Sequence, residues 1–453
     1  MPLALMILAG VAGLVPVRWN SGDPKSLDLL RGGAVTCILV ESQNWNPAFL
    51  AAAKRHRIAV FGLIHLGDEA PRQARRAAQL KLDGVALEGD YDPVVRTRIR
   101  AAIGAGVTLV ELPSRGEMRL DSGDPVVGTW QGLWPGIEIE HGGGAATSGP
   151  TSTPWINTNT GFLRFARAAT DSAIWIGERP PPGVVFSAHR YGLAIADAAM
   201  AGARWIISLD ADLERRLLAG ESQALAAWNQ IEAHIRYWEN PAWRGYIPYS
   251  QLLLVQDSGS GGLLSGGILD LLSVLHTSAR PVPTTRLSAS SLEGARVVLN
   301  LDAESIGAQQ RGELEKFARA GGAVVNPPKG WRLPAIPPQQ ITPTRRQLDQ
   351  IQPIWEAAYE ATVRKNFGVR TFNTASVLFQ LLTAPGRSSL LVHLINYADY
   401  PADDVTVQVL GQWRRARLYS PDDEVRELPL YSIKDGTGID IDRIRVAATL
   451  RLD

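Results

Sequence analysis

Between residues 15 and 245, short apolar runs alternate with amphipathic stretches, and this rhythm limits the fold more than any other feature of the chain. The runs are "VPVRW" (15–19), "VTCILVE" (35–41), "IAVFGLIH" (58–65), "DGVALEGD" (83–90), "VTLVELP" (107–113), "VVGTWQG" (126–132), "AIWIGE" (173–178) and "RWIISLD" (204–210). Helix-like segments such as "PAFLAAAKRHR", "APRQARRAAQLK", "PVVRTRIRAAIGAG", "GFLRFARAATDS" and "YGLAIADAAMAGA" lie between them. Near-continuous apolar strands separated by helices imply parallel strands covered on both faces. Eight such runs in about 230 residues predict a (β/α)8 barrel over 15–245. A doubly wound open sheet is the alternative, but no glycine-rich phosphate turn follows the first run.

A chain of 453 residues exceeds one ordinary core, so two or three domains are expected. The net charge of +1 supplies no field to recruit nucleic acid or an anionic membrane. Thirteen tryptophans offer flat faces that suit either a core or stacking on sugar rings. Cys37 is the single cysteine, which excludes a disulfide framework and a cysteine-ligated zinc site. The first 17 residues are apolar and carry no Lys or Arg. Residues 1–14 read as the remnant of an export signal, with a secreted or periplasmic protein as the expectation, or else as a first buried strand.

After the sixth run comes "LWPGIEIEHGGGAATSGPTSTPWINTN", roughly 27 residues that would hang over the C-terminal face of a barrel. A second unit follows over 246–335, where "SQLLLVQD", "GGILDLLSVLHTS", "RPVPTTRL", "ARVVLNLD", "AQQRGELEKFARAGG" and "AVVNPP" spell a small βαβ sheet. Residues 336–372 read as a linker. Over 373–453, "SSLLVHLINYA", "DDVTVQVLG", "RRARLYSPDD" and "RVAATLRLD" alternate as in an antiparallel β-sandwich.

On those segments the second unit resembles the flavodoxin-like domain, akin to class I glutamine amidotransferases, that follows the barrel in glycoside hydrolases with the β-galactosidase trimerisation-domain architecture. The resemblance implies a (β/α)8 barrel, a flavodoxin-like α/β domain, a C-terminal antiparallel β-sandwich, and the possibility of a homo-oligomer. An amidotransferase needs a cysteine after its third strand. The position here reads "NLDAES", so the second unit is expected to be non-catalytic.

Chemistry in such a barrel sits at the C-terminal ends of its strands. Those ends carry Arg18, Trp19 and Asn20, Glu41, His65, Glu88 with Asp90, Glu111 with Arg115, Gln131 with Trp134, Glu178 with Arg179, and Asp210 with Asp212. So many carboxylates at one rim repel one another and raise one another's pKa, a cost that glycoside hydrolysis uses directly. The resemblance to the large clan of barrel hydrolases implies that Glu88 is the acid/base and Glu178 the nucleophile, held ionised by Arg179 or a neighbour. The clan's asparagine before the first glutamate is replaced here by Leu87, so either Asn157 or Asn159 takes over the sugar 2-hydroxyl, or the family is a divergent one, or the analogy to the clan fails at this position. Glu41 and Glu111 are reserve carboxylates, with Arg18 and Arg115 as structural partners.

Trp155 with Asn157 and Asn159, and Trp134 in "LWPG", suit a sugar subsite or, equally, anchors of the loop. Arg18, Trp19, Asp90, Glu111, Arg179 and Asp210 complete the expected substrate-binding rim. No histidine spacing marks a metal site, and the reading requires no cofactor. The predicted function is cleavage of glycosidic bonds in an oligo- or polysaccharide. The alternative is a catalytically inactive carbohydrate-binding or assembly protein on the same scaffold.

Overall fold

The computed structural model describes residues 10–142, 145–150, 156–257, 262–332, 337, 340–341 and 344–453. Each of the eight apolar runs forms a strand. These are β1 Pro16–Arg18, β2 Cys37–Glu41, β3 Ala59–His65, β4 Gly84–Glu88, β5 Thr108–Leu112, β6 Val126–Thr129 and, after a hairpin of β7 Ile137–Gly142 and β8 Ala145–Pro150, β9 Ala173–Ile176 and β10 Ala203–Trp205. They make two parallel sheets, β1-β2-β3-β4-β5 and β6-β9-β10. A parallel bridge between Val17 and Ile207 joins the β10 side to β1, with the Arg18 N–H donating to the Ile207 carbonyl at 2.7 Å. At the opposite edge β5 and β6 belong to different sheets, and the Thr129 hydroxyl and Trp130 N–H reach the Pro113 carbonyl at 2.7 and 3.3 Å.

Helices α1 Pro47–His56, α2 Ala70–Gln79, α3 Pro93–Ile103, α4 Thr160–Ala169, α5 Ala188–Met200, α6 Ala211–Leu218 and α7 Ser222–Trp238 cover these strands. Their starts are written in the sequence. Asn46 accepts from the Phe49 N–H at 2.9 Å ahead of Pro47, and Asp92 caps the helix that opens with Pro93. After β1 and β5 the cover is thinner, only the 3-10 turns Pro24–Leu30 and Arg115–Glu117.

Two separate clusters fix which way each strand faces. Val17, Ile38, Val40, Val60, Ile64, Val85 and Leu87 pack outward under the helices. Cys37, Leu39, Phe61, Leu63, Ala86, Val110, Leu112 and Trp175 form the interior cluster. The period of two along a strand makes this partition automatic. Continued to the strand ends, it turns Arg18, Glu41, His65 and Glu88 inward and Glu111 outward. Val11 is buried against the interior cluster, and Arg204 Nη1 donates to the Ala12 carbonyl at 2.6 Å. Val11 and Ala12 thus pack against the strands, and residues 1–9 lie outside the described residues. Among the described residues no helix is long and apolar enough to cross a membrane.

The second unit contains a four-stranded parallel sheet. After a short strand β11 Ile247–Pro248 come β12 Leu252–Gln256, β13 Arg280–Pro283, β14 Val297–Asn300 and β15 Ala323–Val325, in the order β13-β12-β14-β15, with helices α8 Gly262–Val274 and α9 Ala308–Arg319. The stretch expected to be a linker instead carries α10 Arg345–Thr362, started by a capping box between Thr344 and Gln347. Its Ile351, Ile354 and Ala358 share a core with Leu252, Leu254 and Leu299, which is why prolines flanking it did not leave it loose.

The C-terminal region is antiparallel. Strands β16 Val369–Phe372, β17 Val377–Thr383, β18 Leu390–Asn396, β19 Ala402–Leu410, β20 Ala416–Tyr419, β21 Arg426–Leu428, β22 Tyr431–Ile433, β23 Gly436–Ile444 and β24 Ala447–Leu452 form sheets ordered β11-β17-β18-β24-β20-β21 and β16-β19-β23-β22 over one shared core. The other face of the larger sheet packs Leu378, Ile395 and Tyr397 against Leu193, Ala196 and Met200 of α5. The three regions thus share buried surface.

Candidate active site

The inward parity of β1 to β4 gathers one polar cluster at their C-terminal ends. Arg18 donates to Glu88 Oε2 as a buried ion pair; the two side chains are 6% and 13% exposed. Arg179, on the segment after β9, places Nη2 3.0 Å from Glu88 Oε1 and 3.4 Å from Glu41 Oε1. His65 Nε2 lies 2.9 Å from Glu41 Oε1, and its Nδ1 lies 3.5 Å from Glu88 Oε1. Burial raises the Glu41 pKa, but the His65 hydrogen bond and the charges of His65, Arg179 and Arg18 outweigh it, and the net shift is downward. Arg18 shifts downward because burial outweighs the attraction of Glu88.

Glu178, partly buried two residues beyond β9, lies in an opposite environment. Burial pushes its carboxyl up to about 7, against the Arg179 backbone N–H and the charges of Arg18 and Arg115, while the nearby Glu88 charge pushes it further upward. Glu88 is therefore close enough for its charge to bear on Glu178. The expectation that Arg179 pairs with the Glu178 side chain is not what the structure contains: the guanidinium turns to Glu88 and Glu41, and its backbone serves Glu178.

Other expected rim residues lie elsewhere. Trp19 is a core residue, with Nε1 donating to Ser26 Oγ at 2.9 Å and its ring edge-on to Trp228. Trp134 is buried among Phe186, Tyr191 and Trp205. Glu111 faces the helices, where Arg96, Arg100 and Arg119 surround it at 3.3, 3.5 and 2.8 Å. Asp90 Oδ1 accepts from the Ser114 N–H at 2.7 Å. Asp210 caps α6 through the Leu213 N–H at 3.0 Å and accepts from the Tyr191 hydroxyl at 2.9 Å.

The two asparagines are also occupied structurally. Asn157 Nδ2 donates to the Ile137 carbonyl at 3.0 Å, pinning the hairpin. Asn159 is fully buried; its Oδ1 accepts from Arg115 and its Nδ2 donates to Asp197 at 2.8 Å. Neither replaces the missing asparagine before Glu88 in this arrangement. Trp155 lies outside the described residues.

Asn159 belongs to a buried network that sequence reasoning missed. Asp197 Oδ1 accepts from the Tyr397 hydroxyl at 2.7 Å, and Asp270 Oδ1 from the Gly161 N–H at 2.9 Å, joining all three regions. Burial raises Asp197 to about 6 and Asp270 to about 8, and lowers Arg115 to about 10. Nothing local in the sequence signals these pairs, which lie far apart along the chain. The engagement of Glu41 and His65 with Glu88 was visible in principle, since residues 41, 65 and 88 share the inward parity of their strands.

No family model matches the chain, and no curated protein matches it in sequence. Among solved structures it is similar to α-L-fucosidase isoenzyme 2 from Paenibacillus thiaminolyticus, with a TM-score of 0.64 over 97% of this chain and 99% of that one at 12% identity. A rhamnosidase from Novosphingobium sp. PP1Y aligns with 89% of this chain and 46% of its own, with a TM-score of 0.47 at 10% identity. The chain has a glycosidase-like fold, a mixed α/β structure with parallel sheets and an antiparallel region.

Proposed function

We propose that the protein hydrolyses glycosidic bonds at the Glu88–Glu178 rim, with the two roles exchanged relative to the sequence expectation. The carrying observation is that two nearby carboxyl groups have unlike surroundings: Glu88 faces two guanidinium groups, while Glu178, among the described residues, has none donating to its side chain and is pushed up to about 7. Glycoside hydrolysis needs one carboxyl that holds a proton and one that carries charge. Glu178 donates its proton to the leaving glycosidic oxygen. Glu88 supports the oxocarbenium-like transition state, as nucleophile or as base toward water. The test is turnover of a panel of aryl and alkyl glycosides, fucosides and rhamnosides included, by wild type and by Glu178→Gln. A wild type inactive on every member, or a variant as fast as wild type on glycosides with a poor leaving group, removes this reading.

A second reading, a carbohydrate-binding protein without turnover, is favoured by one observation: Arg18 and Arg179 both occupy Glu88 oxygens. It predicts saturable sugar binding without product release, and the same panel separates the two.

A further inference from the structure

A cleft of about 600 Å3 lies where α4, the second parallel sheet and the C-terminal sheet meet. Four guanidinium groups line it: Arg164, Arg167, Arg280 and Arg286. Their partners leave the charge uncompensated. Arg164 donates to Ser273 Oγ at 3.3 Å and to the Ala279 carbonyl, Arg167 to the Thr170 carbonyl, and Arg280 to the Ser291 carbonyl at 2.7 Å. Arg286 meets Asp171 Oδ1 at 3.4 Å, and that carboxylate is 94% exposed, so water screens the pair.

Among the described residues of the lining, Asp171 is thus the one carboxylate against four cations. Burial lowers the Arg167 pKa; Asp171 offsets this, and the Arg286 charge lowers it again, the mutual repulsion of cations gathered without enough counter-charge. Asp270, the neighbouring charge that would steady Arg164, is itself pushed up to about 8 by burial.

Two further observations point to a ligand. Gln380 lines the cleft and is 5% exposed, and its Oε1, shielded from solvent, has no hydrogen-bond partner among the described residues. A buried amide oxygen left alone costs stability that a donor from a guest would recover. The remaining wall combines Pro281, Val282 and Pro283 with Ser288 and Ser290, an apolar surface beside hydroxyl donors. The volume falls within the range of small-molecule sites.

We propose that this cleft binds a small molecule bearing an oxyanion, a phosphate, sulfate or carboxylate, on a body of about one sugar ring. The guanidinium groups take the oxyanion, and the Ser288 and Ser290 hydroxyls, with the Gln380 amide once rotated to present its oxygen, meet the hydroxyls of the body.

Isothermal titration of the full-length protein with inorganic phosphate, inorganic sulfate, glucose 6-phosphate, glucuronate and neutral glucose tests this. Binding of at least one anionic probe, weakened by added salt and absent for glucose, is the expected result. Arg286→Gln, at an exposed position, and Arg167→Gln should each weaken binding about tenfold, with circular dichroism unchanged. Tighter binding of glucose 6-phosphate than of phosphate supports the role of the wall, and equal binding supports the oxyanion site alone. Glucuronate preferred over both phosphates identifies the carboxylate as the source. No binding of any anion, binding of glucose as strong as that of glucose 6-phosphate, or affinities unchanged in both variants overturns the proposal. Glu178→Gln should bind these probes as wild type does, which keeps the result independent of the rim.

Discussion

Arg179 stands 3.0 Å from Glu88, 91 positions away in the chain, and ties the end of β9 to the end of β4. The residue preceding it, Glu178, remains outside the guanidinium pairing. Adjacent positions on one segment thus supply a cation to one carboxyl and leave the other without such a partner.

The consequence for catalysis is a direction of pH dependence. Glu178 works as an acid only while protonated, so kcat should fall as pH rises through about 7. Glu178→Gln should lose about 100-fold or more on a glycoside with a poor leaving group, and far less on one with an activated aryl group. It should also lose the alkaline limb. Glu88→Gln should be slow on both substrates, because no leaving group replaces the missing charge. Rate–pH profiles of the three proteins on the two substrates decide this.

Stability should also vary with pH, in two directions. Asp197, Glu178 and Asp270 are raised to about 6, 7 and 8, so the native state holds protons that the unfolded chain has released, and stability is lost as pH rises through these values. Burial lowers His234 to about 4 and His393 to about 3; their contribution is present above the ordinary histidine pKa and is lost as pH falls below it. Asp270→Asn should flatten the alkaline decline. Melting temperatures measured from about pH 5 to pH 9 in wild type and this variant give the comparison.

The two arginines on Glu88 should separate by burial. Arg18→Met removes the buried partner and should cost about 3 kcal/mol in urea unfolding. Arg179→Met, at a half-exposed position, should cost less than about 1 kcal/mol, yet should change the rate–pH profile. Equal costs would mean that the pairing is not organised around the buried member.

Trp134 offers a test of core against sugar platform. Its ring lies 4.3 Å from Phe186 and 5.3 Å from Trp205, within the outer core. Trp134→Ala should destabilise by about 3–5 kcal/mol, whereas Trp134→Phe should leave KM for any substrate unchanged. A raised KM in the phenylalanine variant would return this residue to the binding site.

The parallel strands were legible because each is an apolar run bounded by turn residues, and all eight runs carry one. Strand parity, equally legible, sorts Glu88 inward and Glu111 outward. What the sequence concealed was partnership. Trp19, Trp134 and Asp210 look like rim residues by position, but Ser26, Phe186 and the Leu213 N–H claim them within the fold. The helix Arg345–Thr362 was hidden by its prolines, one of which, Pro353, it tolerates internally while Ile351 and Ile354 fasten it to the sheet. The exchange of roles proposed for Glu88 and Glu178 could not be read from spacing, since it depends on which carboxyl the guanidinium of Arg179 turns toward.

The Tyr397 hydroxyl that satisfies Asp197 comes from 200 positions further along the chain. A fragment ending near residue 245 would strip that donor from an acid in the last turn of α5 and remove the side chains that cover Leu193 and Met200. The first half of the chain is therefore finished by side chains of the last, so its borders in sequence are not its borders in space.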